Sequence, residues 1–155
     1  MTEVDPELRV GRPVRLTLRH ECSAKQLRDP RASWLWQPHT FLVAFSDAAF
    51  KATITFDSTV GPFVSLRDQL AVLNQELKGE GSLLTSEWDL ELEVVVDKRG
   101  HLKWTGTMRH PGPVPESTLS FEIEDDQTSL DDIIAQLSTI VQEAIAESPD
   151  EEQSD

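Results

Sequence analysis

Tyrosine is absent from this chain and cysteine occurs once, at Cys22. One thiol cannot close an internal disulfide, and without a CxxC partner it excludes the common zinc modules. Cys22 reads as a half-buried small hydrophobe near the end of a strand. No apolar run approaches the roughly 20 residues that a membrane helix requires. The opening Met1-Thr2-Glu3-Val4-Asp5-Pro6 lacks the basic and apolar regions of a secretory signal. These absences lead to the expectation of a cytoplasmic protein that avoids membranes. Lysine and arginine are missing after Arg109, where Glu116, Glu122, Glu124, Asp125, Asp126, Asp131 and Asp132 begin a long acidic stretch. Nucleic-acid binding needs cations to displace counterions from phosphates, so this field argues against such a partner.

Catalytic signatures are missing as well. There is no nucleophile elbow, phosphate-binding loop or dinucleotide fingerprint. His20, His39, His101 and His110 show neither HxH nor HExxH spacing. The Asp125-Asp126 and Asp131-Asp132 pairs lack the spacing and glycine of a calcium loop. The expectation is therefore a non-enzyme with no cofactor and no metal. Glu87, Asp89, Glu91 and Glu93 alternate on a solvated strand face, where nothing would raise a carboxyl pKa for acid–base work.

What the sequence does contain is a patterned, acidic chain of 155 residues with a formal charge of −14. That length suits one domain with a core that needs no staples. Residues 1–12 read as a flexible lead-in, 13–146 as a single α+β domain and 147–155 as a disordered acidic tail. Val14, Leu16 and Leu18 alternate with Arg15, Thr17 and Arg19, which predicts a strand. Phe41–Phe45 predicts a second, and Phe50, Ala52, Ile54 and Phe56 predict a third after a turn at Ser46-Asp47-Ala48. Phe63, Leu66, Leu70, Leu73 and Leu77 form one helical stripe, with Ser65 as N-cap and Gly79 as terminator. Trp88, Leu90, Leu92, Val94 and Val96 share the apolar face of a fourth strand. Leu102, Trp104, Gly106 and Met108 continue on a fifth, and Leu119, Phe121 and Ile123 form a sixth. Leu130 to Ile145 reads as a final helix, capped at Thr128 or Ser129. The expected fold class is α+β: a mainly antiparallel sheet of about six strands with two helices on one face, in the order β-β-β-α-β-β-β-α. No internal repeat is visible.

Parity fixes the register of the fourth and fifth strands. A two-residue loop would set Glu93 opposite Trp104 and mix the faces. The three-residue loop Lys98-Arg99-Gly100 pairs Asp97 with His101 and Val94 with Trp104, with Gly100 at positive φ.

The run Trp88-Asp89-Leu90-Glu91-Leu92, then Gly100-His101-Leu102-Lys103-Trp104-Thr105-Gly106, then Leu119 through Asp126-Gln127-Thr128-Ser129-Leu130 resembles the WapI-like immunity proteins. The likeness spans roughly residues 41–141. It implies a cytoplasmic antidote that binds and neutralises a polymorphic toxin, often a nuclease, with no catalytic residues. The residues themselves also give Asp126 and Thr128 a role in starting the last helix and Gly100-His101 a role in the hairpin. The expected partner is a cationic toxin domain, steered in by the acidic field. The expected contacts are Glu87, Asp89, Glu91, Glu93, Glu122, Glu124, Asp125 and Asp126, with Trp34 and Trp36 as anchors, on a monomer or weak homodimer. Bracketed by Pro30 and Pro38, Trp34 and Trp36 read either as core plugs or as an exposed anchor. Two other functions remain open from the residues: a ligand-binding domain with a pocket lined by Trp34 and Trp36, and a homo-oligomeric scaffold joined through the edge of strand 14–20.

Overall fold

A computed structural model describes residues 7–11, 14–23, 34–110 and 116–147. Alternation of apolar and polar residues builds eight strands, and three-and-four spacing builds two helices. The first half contains β1 (Glu7–Val10), β2 (Arg15–Ser23), β3 (His39–Ser46) and β4 (Lys51–Ser58), followed by α1 (Gly61–Glu76). The second contains β5 (Glu80–Leu84), β6 (Leu90–Val96), β7 (His101–His110) and β8 (Ser117–Asp126), followed by α2 (Leu130–Glu147). Each set of four strands is an antiparallel sheet in which sequence neighbours pair, β1-β2-β3-β4 and β5-β6-β7-β8.

The single six-stranded sheet expected from the sequence is therefore two four-stranded sheets, and the order is β-β-β-β-α-β-β-β-β-α. Two short strands account for the difference. β1 lies within the stretch read as a flexible lead-in, yet Leu8 and Val10 are fully buried and pair with Leu18 and Leu16. β5 follows directly on Gly79, in a stretch to which the pattern assigns no strand. Because β1 covers one side of β2 and β3 the other, strand 14–20 offers no free edge for oligomerisation.

The apolar faces of the two sheets share one core. Leu16, Leu18, Phe41, Val43 and Phe45 come from the first sheet, and Leu92, Val94, Leu102, Trp104 and Ile123 from the second. The Phe45 and Phe121 rings stack between them, centroids 4.7 Å apart. Gly106 makes room for this contact, since a Cβ there would lie 2.5 Å from Phe121 and 2.8 Å from Leu92.

The two helices pack against each other, and Asn74 Nδ2 of α1 donates to Asp131 Oδ1 of α2 at 2.8 Å. α1 buries Phe63, Leu66, Leu70 and Leu73 and lies beside β5, while α2 lies beside β1 and β2. Each half is thus a four-stranded meander and a helix, and each helix shields the first strand of the other half. The matching extends to side chains. Gln69 of α1 accepts from Ser82 N of β5 at 3.0 Å, and Gln136 of α2 accepts from Arg9 N of β1 at 2.9 Å. These contacts occupy backbone donors on strand edges that would otherwise be open to pairing.

Local chemistry departs from expectation at several ends. α1 starts at Gly61 with Pro62 in its first turn, not at a Ser65 cap. It ends with Leu77 left-handed at φ 57°, whose N–H bonds Leu73 O at 2.7 Å, so Leu77 terminates the helix before Gly79 is reached. A 3-10 turn (Gln127–Ser129) precedes α2, and Asp126 caps it, its carboxylate accepting from Thr128 N at 3.0 Å. Phe50 faces solvent at the β3–β4 hairpin instead of joining the apolar face of β4.

Candidate functional site

The β6–β7 hairpin has the register that parity predicts. Val94 pairs with Trp104 and Val96 with Leu102. Asp97 N donates to His101 O at 2.9 Å, Gly100 N donates to Asp97 O at 3.1 Å, and Gly100 takes φ 83°. The Asp97 carboxylate accepts from Arg99 N and His101 N, at 2.7 and 3.0 Å, and these amides hold its pKa below the ordinary value. The hairpin sets the outward face of the second sheet.

That face consists of cross-strand rows. Glu91 of β6, Thr107 of β7 and Ser120 of β8 form one; Glu93, Thr105 and Glu122 form the next; Val95, Lys103 and Glu124 form the third. Glu91, Glu93, Glu122, three hydroxyl side chains and the edge of Phe121 line a shallow depression of about 490 Å³. Lys103 Nζ lies 3.4 Å from Glu122 Oε1, both well exposed, so this pair contributes about 0–1 kcal/mol. Arg109 Nη2 holds Glu91 Oε1 at 3.1 Å. The outer face of the first sheet is mixed: Arg9, Arg15, Arg19 and Lys51 lie among Glu7, Glu21 and Asp57, with Arg9 on Glu7 at 3.1 Å and Arg19 on Glu21 at 2.8 Å.

Of the expected contact residues, Glu91, Glu93, Glu122 and Glu124 come together on this face. Glu87 is exposed in the β5–β6 turn, outside any strand. Asp89 is buried there, not on a wet face, and its carboxyl pKa is raised, first by burial and then by the charge of Glu87. Asp125 serves the fold: its carboxylate accepts from Gly11 N at 3.1 Å and Ser129 Oγ at 2.8 Å, joining the two halves. Asp126 caps the 3-10 turn Gln127–Ser129 that leads into α2. Trp36 lies in a 3-10 turn (Trp34–Trp36) with its side chain exposed, neither a core plug nor the wall of an enclosed pocket. The side chain of Trp34 and the placement of 148–155 lie outside the described residues.

Two features escaped the sequence reading. Trp88 is not on the apolar face of β6. It takes φ 63° in the β5–β6 turn, which reverses the alternation there, so Asp89 and Leu90 are both buried while the Trp88 ring is exposed. His20 and His39, apparently scattered, meet in the core of the first sheet, Nε2 to Nδ1 at 3.0 Å, with Glu143 3.7 Å from His20. Strand positions facing inward on β2 and β3 were the available signal. Among the described residues no cluster of three or more His, Cys, Asp or Glu is placed to hold a metal ion. None of the described helices is long and apolar enough to cross a membrane.

The two short motifs behind the resemblance prove to be one joint. His101 pairs with Asp126, and Gln127 N donates to Gly100 O at 2.9 Å. A Cβ on Gly100 would lie 2.5 Å from Gln127 Oε1. These residues maintain the meeting of hairpin and helix.

Two sheets sharing a core, with one outward face of carboxylates and hydroxyls, make a frame suited to presenting a surface to another macromolecule. The Immunity protein WapI-like family model matches residues 14–144, and the chain belongs to that family. Comparison with curated proteins gives no match.

Proposed function

We propose that the protein is a cytoplasmic immunity protein that binds one cognate toxin domain and neutralises it by occupancy, without turnover. The observation that carries this reading is the outward face of the second sheet, where acids from β6 and β8 are gathered in a chain of a toxin-immunity family. A cationic toxin surface, such as that of a nuclease, complements this face and is drawn to it by a charge of −14. Nucleic acid is repelled by the same field. The protein acts as a monomer or weak homodimer, and the functional complex is one-to-one.

Reversing charge at Glu93, Glu122 and Glu124, singly and together, tests the face. Association with the cognate toxin domain, measured by stopped flow, should slow by about tenfold for the triple variant at low salt, with a flatter salt dependence. Unchanged association rates would remove this face from the interface.

A further inference from the structure

Among the described residues three aromatic rings face solvent: Trp36 at 64%, Phe50 at 65% and Trp88 at 65% exposure. Trp88 differs in how it is held. At φ 63° it occupies the left-handed region, which costs a bulky L-residue roughly 1–2 kcal/mol. The surrounding turn keeps it there. Trp88 N donates to Thr85 O at 2.9 Å, and Thr85 Oγ1 accepts from Leu90 N at 3.1 Å. Arg109 Nη1 donates to Trp88 O at 2.9 Å, and its Nη2 holds Glu91. Ser86 Oγ accepts from Thr59 N at 2.9 Å, tying the turn to the end of β4. The backbone is therefore pinned on both sides of a ring that makes no use of the core.

Apolar and acidic residues lie in the turn and on the strands it joins. Leu84, itself well exposed, pairs with Glu91 on the outward face, and Glu87 precedes Trp88 in the turn. A tryptophan already fixed in place loses little freedom on docking, and such residues dominate interface energetics. We infer that Trp88 is the apolar anchor of the toxin-binding face, entering an apolar pocket of the cognate toxin whose rim carries Lys or Arg for Glu87 and Glu91. This rests on the immunity reading above and adds the residue that gives the complex its lifetime, where the acids of the sheet govern its formation.

Trp88→Gly separates binding from folding, because glycine adopts the left-handed conformation without strain. Trp88→Asn, also tolerant of that region, serves as a second variant. Both should keep or raise the melting temperature and weaken binding to the purified cognate toxin domain by about a hundredfold, mostly through faster dissociation. Trp36→Ala, which removes an equally exposed ring, should leave affinity unchanged. A wild-type protein that binds tightly alongside Trp88 variants within about threefold of it overturns the Trp88 assignment alone. A wild-type protein that fails to bind the toxin domain overturns the immunity reading and this inference with it.

Discussion

Asp89 occupies a buried turn position beside Glu87, and both circumstances disfavour its charge. Its folded pKa is raised above the ordinary 3.8, so the folded state holds the proton more readily than the unfolded chain. Stability is accordingly lost as pH rises from that ordinary value through the raised one, and the cost is fully present above it. Asp89→Asn should be at least as stable as the wild type at neutral pH, and the difference should shrink as the solution approaches about pH 4. Thermal melts across that range check the sign. Asp97 is the opposite case. Its pKa is lowered by the amides of His101 and Arg99, so its contribution is present above the ordinary value and is lost as pH falls through the lowered one. The alternation of Glu87, Asp89, Glu91 and Glu93 gave no hint that one of these acids is buried. β6 keeps the expected parity from Leu90 to Val96, but Asp89 precedes it in the turn where Trp88 takes positive φ, and nothing in the side-chain pattern encodes that start.

At the scale of elements, the β6–β7 hairpin was fully legible, because face parity allows one loop length and Gly100 supplies the positive φ. Gly100→Ala should cost about 1–3 kcal/mol, combining left-handed strain with a side chain driven toward Gln127. A urea denaturation midpoint measures it, and a cost near zero would mean that hairpin and helix are not joined through this residue. The short strands were not legible. β1 offers two apolar residues in four, and β5 is announced by glycine. Both become strands through partners distant in the chain, β1 through β2 and α2, β5 through β6 and α1. The end of α1 was misplaced because a left-handed leucine performs the role usually given to glycine.

Over the whole molecule, the acidity was legible but its placement was not. Composition reports the charge of −14, while only the pairing of β6, β7 and β8 shows that Glu93 and Glu122 flank one threonine. Asp125 and Asp126 belonged to the same acidic run, yet the fold uses their carboxylates to join its halves and cap the 3-10 turn that leads into α2. The resemblance identified the family from residues that hold hairpin and helix together. It therefore indicated the frame more directly than the surface that acts.

The exchange of helices between halves has a mechanical consequence. Severing the chain at the link between α1 and β5 leaves each product with a four-stranded sheet whose leading strand has lost its cover, and with a helix whose apolar stripe has nothing to lie on. Neither piece should be soluble alone, and expressing both together should yield one heterodimer that elutes in size-exclusion chromatography like the intact protein. A piece that folds by itself would show that the halves are independent. If they are not, a nick at this link is repaired by reassociation at sufficient concentration, whereas a nick within either sheet is not.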